Sequence, residues 1–324
     1  MPAPTVLCVI LNFRTPEMTL RAAEAALADL HSVGGELVIV DNASGDGSYE
    51  MITQQVAARG WGEGGLVRVV ASPVNGGFGA GNNIALRMTL GDGRAPDYFY
   101  VLNSDAFPDA GCIEALMDHL EAHRDAGIAC SNVRGEDGVV HTTAFRFPSI
   151  AGEFAGAARL GFIDRMFPEA PVPMPQPATT CQVDWSAGAS MMLRRTMLEQ
   201  IGLFDETFFL YFEETDLCLR AARAGWSCWY VQDSRVVHIG SVSTGLKTTR
   251  RMPSYWYDSR RHYFIKNHGR VYAATALLAH LAGGVLHRLR AALGGRHPQD
   301  PRWFLRDLVA HAATPYRTSP EDRL

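Results

Sequence analysis

The sequence predicts an α/β protein, a mixed and mainly parallel sheet flanked by helices, with a helical extension at its C-terminal end. Three observations carry this. Over the first 130 residues, apolar β-like runs alternate with amphipathic helical ones. The segments that follow the apolar runs are polar or glycine-rich, as strand ends facing a ligand are. The last seventy or so residues are Arg-rich, aromatic and helical in period. With 324 residues and 47% hydrophobic content, the chain buries a full core and exceeds one large α/β unit only slightly.

Taken in order, TVLCVIL opens the sheet, PEMTLRAAEAALADL is a helix with proline in its first turn, and ELVIVD is the second strand. GSYEMITQQVAARG is helical and LVRVVA is the third strand. AGNNIALRMTL, DYFYVLN, AGCIEALMDHLEAH and GIACS continue the alternation to a fifth strand. After residue 131 the rhythm breaks, and FPEAPVPMPQP (167–177), with five prolines in eleven residues, reads as an extended loop. A second block follows: VDWSAGASMMLRR, a helix within FFLYFEETDLCLRAARAGW, and WYVQDSRVVHIGSVST. SYWYDSRRHYFIKNHGR begins the extension, and its aromatic content suits a core helix or a dimer surface equally. No repeat of 20–50 residues is present.

Composition excludes some classes. Thirty basic against 34 acidic residues, net charge −4, advertise no nucleic-acid partner. The 6 cysteines are scattered with no C-x-x-C pair, so a reduced, cytoplasmic protein is expected. MPAPTVLCVILNF has no basic leader region and runs directly into a strand, so no signal peptide is expected. VYAATALLAHLAGGVL (271–286) is shorter than the ~20 apolar residues of a membrane span. It continues into HRLRAALGGRH, so a helix buried on its own domain and a helix peripheral to the inner membrane face both fit.

The chemistry-bearing residues sit at strand ends. Asp41, with Asn42 after it, can accept from a ribose hydroxyl or a base N–H, and a dinucleotide-binding domain keeps an acid there too. That domain needs a G-x-G-x-x-G after the first strand, where this chain has LNFRTPE. The glycines come instead after the third strand, in NGGFGAGNN, which serves either a ligand or a tight turn into a helix. Asn103-Ser104-Asp105 ends the fourth strand, where an aspartate caps a helix or binds a metal. His238 ends a late strand and is either structural or a further ligand. In FFLYFEETD four aromatic rings within five residues precede Glu213, Glu214 and Asp216. Acids belong in a helix's first turn. The rings beside them remove hydration and push a carboxyl towards the pKa of a general base. Trp185, after Asp184, is either a core aromatic or a platform for a sugar's C–H face.

The ordered set NF, VDNASGDGS, NGGFGAGNN, LNSDAFP, DWSAGASMMLRR, FFLYFEETDLCLR and VVHIGSVST resembles the family 2 inverting glycosyltransferases of GT-A fold. It is most similar to their bacterial rhamnosyltransferase-type branch, over roughly residues 5–245. The resemblance implies a transferase domain over 1–248, with a nucleotide-binding half (1–131) and an acceptor half (132–248), before an extension over 249–324. It implies that the nucleotide is held by Asn12, Arg14, Asp41, Asn42, Asn75, Gly76, Gly77, Phe78, Asn82, Asn103 and Ser104. Asp105 and His238 would take Mg2+ or Mn2+, Glu214 the catalytic-base position with Glu213 and Asp216 beside it, and Asp184 and Trp185 the acceptor side. The donor implied is a dTDP- or UDP-linked sugar, rhamnose foremost, and the acceptor a cell-envelope glycan or a lipid-linked intermediate. Two departures stand out. Asn103 replaces the first carboxylate of the family's D-x-D, and the base position is Glu rather than Asp. A sugar-phosphate nucleotidyltransferase lacks support because LNFRTP carries no glycines, and Asn103 is the one feature that suits a non-catalytic subunit with a decayed site.

Overall fold

The structure, a computed structural model, describes residues 4–240, 251–294 and 300–316, with 163 and 164 described by backbone alone. The expected boundary at 248/249 and the SVST end of the last motif lie outside the described residues. Strand β1 (Val6–Asn12) leads through α1 (Pro16–Val33) to β2 (Glu36–Asp41), and α2 (Ser48–Ala58) leads to β3 (Val67–Ala71). Then come α3 (Gly77–Leu86), β4 (Tyr98–Asn103), the short β5 (Ala106–Pro108), α4 (Cys112–Ala122) and β6 (Ala126–Arg134). The next stretch holds β7 (Ala144–Phe145), α5 (Ile150–Ala158), α6 (Gly161–Met166), β8 (Cys181–Val183), β9 (Trp185–Ser186) and β10 (Ser190–Arg194). Helices α7 (Arg195–Ile201) and α8 (Glu213–Arg223) precede the long β11 (Ser227–His238), and α9 (Ser254–Leu293) and α10 (Phe304–Ala312) end the described chain.

The first strands read as continuous apolar runs because both their faces are covered, which is the condition of a parallel sheet between helices. The sheet order is β3-β2-β1-β4-β10-β6-β11-β5, with β8 also on β11. β3, β2, β1 and β4 are mutually parallel, as are β6 and β11. β10 runs antiparallel between β4 and β6, so a strand from the second block completes the sheet begun by the first. All five residues of β10 are buried there. One apolar layer lies between the sheet and α1, α2 and α4, and the other lies between it and α3, α7 and α8.

Helix α9 breaks at Gly269 (φ 85°), which no continuous helix accommodates. Its first segment is a core helix, with Tyr257, Tyr263 and Phe264 buried. That segment is fastened to α8. Fully buried Asp216 accepts from Arg220 Nε at 2.9 Å, Lys266 Nζ at 2.8 Å and Asn267 Nδ2 at 2.9 Å. Asp205 takes Lys266 Nζ at 2.8 Å and His262 Nε2 at 3.0 Å. Burial pushes the Asp205 carboxyl up, but the hydrogen bonds from His262 and Lys266 override it and hold it well below the usual range. Removing Asp216 leaves the largely buried Arg220 without a counter-charge and Lys266 with Asp205 alone, so Asp216→Ala is expected to cost about 3–5 kcal/mol. A urea midpoint unchanged by that substitution would show that the clamp contributes nothing.

Candidate functional site

A cavity of about 730 Å³ lies at the carboxyl ends of the central strands, lined by Leu11 at the end of β1, Asn42 just past β2, Asn103 of β4 and His238 of β11. Its polar wall is made by pairing that joins distant segments. β5 runs antiparallel to β11 with Ala106 opposite His238, which sets His238 Nε2 3.0 Å from Asp105 Oδ1. Asn103 Nδ2 lies 3.3 Å from the same nitrogen. The contact between Asp105 and His238 is a hydrogen bond, so the carboxylate and imidazole can serve as adjacent metal donors only by giving it up to an ion. Among the described residues no group of three His, Cys, Asp or Glu is assembled to hold a metal. The donor set fits Mg2+ or Mn2+ only as part of a shell completed by ligand oxygens and water.

The glycine-rich segment is the first turns of α3, and its glycines are sites of close packing. Gly77 has φ +88°, and a Cβ there would stand 1.8 Å from the carbonyl oxygen of Phe209. The N–H of Phe78 donates to that same oxygen at 2.9 Å. Gly79 makes room for Phe204 and Gly81 for Leu11. Asn83 completes the seam by donating to Phe204 O and Glu206 Oε1, both at 2.9 Å, and accepting from Phe204 N at 3.1 Å. The seam holds the aromatic segment and the start of α8 against the sheet.

At that start, Tyr211 and Phe212 both have φ 69°, a left-handed conformation that costs a non-glycine residue about 1–3 kcal/mol. Packing holds it: Phe212 lies against Trp256 and Tyr263, and Tyr211 against Tyr255. The turn delivers Glu213 and Glu214 into the cavity wall. Burial pushes Glu214 up to about 7, restrained by N–H groups of its own residue, Gly188 and Thr215. Burial, and then the neighbouring charge of Glu214, drives Glu213 well above the usual range. Each keeps one buried carboxyl oxygen, Oε2, without a partner. Both carboxyls are thus driven towards the neutral form, while the N–H groups around Glu214 favour its charged form.

Of the residues singled out in the sequence, Asn42, Asn75, Gly77 and Phe78 line one wall. Asn103, Ser104, Asp105 and His238 line the second, and Glu213 and Glu214 close the cavity beside Gly188. Asn42 Nδ2 donates to Asn75 Oδ1 at 2.9 Å, leaving the buried Asn42 Oδ1 without a partner. Asn12 and Asp41 stand behind the wall, locked by the Asn12 Nδ2 to Asp41 Oδ1 bond at 2.7 Å and the Ser44 Oγ to Asp41 Oδ1 bond at 2.6 Å. Arg14 is tied to Ser44 O at 3.0 Å, Gly76 caps α3, and Asn82 Nδ2 bonds Phe78 O at 2.9 Å. Asp216 faces α9 instead of the cavity. Asp184 and Trp185 lie outside it: Asp184 accepts from Phe147 N, and Trp185 stacks on Phe145 at 4.3 Å and donates to Arg146 O. Phe13, His141 and Tyr255 line the cavity without having been singled out. Phe13 stands in the LNFRTP motif, whereas His141 sits in a polar loop without periodicity and Tyr255 in the extension, so neither carries a local signal.

Residues 8–202 match the family described as Glycosyl transferase family 2. Over 226 residues, 64% of this chain and 68% of the relative, the sequence is 30% identical to N-acetylglucosaminyl-diphospho-decaprenol L-rhamnosyltransferase of Mycobacterium tuberculosis. Among solved structures, GalNAc-T7 with UDP, GalNAc and Mn2+ superposes with a TM-score of 0.56 at 12% identity, covering 98% of this chain and 59% of that one. The mannosyltransferase PcManGT from Pyrobaculum calidifontis, in complex with GDP-Man and Mn2+, gives 0.52 at 15% identity over 95% of this chain and 86% of that one. At those identities the likeness is one of fold, the GT-A arrangement of a mixed sheet between helices.

Proposed function

This chain belongs to glycosyl transferase family 2, and on that premise we propose that it is a metal-dependent inverting transferase. It moves a sugar, rhamnose from dTDP-rhamnose or a sugar from a UDP-sugar, to a hydroxyl of a cell-envelope glycan or lipid-linked acceptor. The relative's name supports the rhamnosyl and lipid-linked reading, and the Mn2+ of the structural neighbours supports the metal. Six free cysteines, five of them buried, suit work in the cytoplasm.

The observation that carries the reading is that one cavity holds an Asp105–His238 donor pair and, on another part of its wall, a carboxyl poised near neutrality at Glu214. Glu214 takes the proton of the acceptor hydroxyl as that oxygen attacks the anomeric carbon opposite the departing nucleoside diphosphate. One bond forms to the acceptor oxygen as the bond to the diphosphate oxygen breaks, and the configuration inverts. Glu213, pushed towards its neutral form by burial and the charge of Glu214, presents a hydrogen-bond donor. Asp105 and His238, with Asn103 beside them, would hold Mg2+ or Mn2+, which when bound stabilises charge on the diphosphate. Asn42 offers its unpartnered amide oxygen to the nucleotide.

Melting curves with dTDP, UDP, GDP and NAD, each with and without Mn2+, test this. A nucleotide at ~100 times its dissociation constant stabilises by about 2.7 kcal/mol. A Mn2+-dependent shift with dTDP or UDP is expected, and Asp105→Asn is expected to remove its metal dependence. No shift with any nucleotide would favour a decayed, non-catalytic site.

A further inference from the structure

The segment of α9 beyond Gly269 is turned inside out for a surface helix. Its buried positions are small: Ala276, Gly283, Gly284 and Ala291. A Cβ on Gly283 would stand 2.5 Å from Phe154 O, and one on Gly284 2.8 Å from Leu305 Cδ2, so α5 and α10 are seated directly on this face. At roughly 100° per residue the opposite face carries Val271, Thr275, Leu278, Ala282, Val285 and Leu289. All six are exposed, Val271 to 83% and Leu278 to 64%. No charged side chain interrupts this line, which runs about 27 Å. An outward helix face is ordinarily the polar one. By length and composition α9 also passes as a membrane span, yet only 17% of its apolar window is buried in the protein.

The surrounding charges are sorted by sign. Asp300 pairs with Arg159 at 2.8 Å, Glu153 with Arg260 and His280 at 2.6 Å, and Asp307 with Arg251 at 2.6 Å, all in contacts between elements. Exposed Arg270 stands at one end of the apolar line, and Arg290 at the other donates to Ala158 O at 3.0 Å. On α10, which is seated beside the middle of this segment through Leu305 on Gly284, exposed Arg302 and Arg306 flank the half-exposed ring of Trp303 at 5.5 and 5.0 Å. Apolar side chains bounded by arginines and a tryptophan match the layering of a bilayer surface, where hydrocarbon lies beneath anionic headgroups.

We propose that the outer face of the Val271–Leu289 segment, with Trp303 and its arginines, docks this protein onto an anionic lipid bilayer, lying in the interface and not crossing it. A second copy meeting this one through the same face brings the same cations and turns the same carboxylates inward, so in that contact it offers the arginines no counter-charge.

The test is co-flotation of the full chain with vesicles of phosphatidylcholine, alone or mixed with phosphatidylglycerol. The wild-type chain is expected to float with the mixed vesicles, less so with phosphatidylcholine, and less in high salt. Leu278→Glu with Val285→Glu, both at exposed positions, is expected to lower partitioning about tenfold or more. Arg302→Ser with Arg306→Ser is expected to lower binding to the mixed vesicles alone. Melting curves matching the wild type confirm that the variants fold. Wild-type protein that stays unbound in both vesicle types, or a double glutamate variant that floats as well as wild type, would overturn the proposal. So would light scattering that shows a dimer separated by the glutamates, with no vesicle binding.

Discussion

Glu214→Gln is expected to lower kcat by about 10²–10⁴-fold while leaving the nucleotide-induced melting shift intact. The amide keeps the size of the side chain and can still accept from the N–H groups of Gly188 and Thr215, so what disappears is the capacity to take a proton. Wild-type activity is expected to rise about tenfold per unit as pH increases towards about 7 and then level off, since the base proposed at Glu214 works only when deprotonated. The same carboxyl has a stability signature of opposite sign. Its folded pKa is raised above the unfolded value near 4.5, so its stabilising contribution is complete below 4.5 and is lost as pH rises through about 7. Glu214→Gln removes that loss, so the variant is expected to melt a few degrees above wild type at pH 8 and level with it at pH 4. Loss of catalysis together with gain of stability is what a strained, desolvated base produces and a structural carboxyl does not. Equal kcat for Glu214→Gln and wild type, with Glu213→Gln inactive, would move the base to Glu213.

The parts of this molecule that were legible in the sequence are those whose signal is local. The runs VLCVIL and LVIV are apolar throughout because their strands are covered on both faces, and the carboxyl ends that follow are polar, Asn42 lining the cavity and Asn12, Asp41 and Ser44 bonded to one another behind it. The acids of α8 were visible beside their rings. What escaped is set by pairing. β10 lies between β4 and β6, about ninety and sixty residues from them in sequence, and nothing in SMMLR specifies those neighbours. The three-residue β5 is too short for any period, yet its pairing with β11 is what brings Asp105 to His238. Asp216 was visible as an acid, but its partners Lys266 and Asn267 belong to another helix fifty residues on. A carboxylate's role depends on which side of its helix faces the cavity, and the sequence of α8 leaves that open.

Gly77→Ala is expected to destabilise the fold by about 2–5 kcal/mol and to lower activity at least about 100-fold. Two costs combine at this position. The first is conformational, because φ is +88° and an alanine is strained there wherever it finds space. The second is steric. The added methyl would stand 1.8 Å from Phe209 O and 2.8 Å from Phe209 Cα, both backbone atoms that no rotamer change can move. Relief requires the 209 segment to retreat, which breaks the hydrogen bond from Phe78 N and shifts the left-handed turn at Tyr211 and Phe212 that sets Glu213 and Glu214. A displacement of about 1 Å at a base costs on the order of 100-fold in rate, so activity falls further than stability alone accounts for. Gly47→Ala separates the two costs, since Gly47 has the same φ of +88° with nothing within 4 Å of its added Cβ. The difference between the two urea midpoints measures the contact with Phe209, and the activity loss is expected in Gly77→Ala alone. If both variants are destabilised equally and both remain active, the glycine-rich turn does not hold the proposed base in place, and the seam between α3 and the aromatic segment has no part in positioning Glu213 and Glu214.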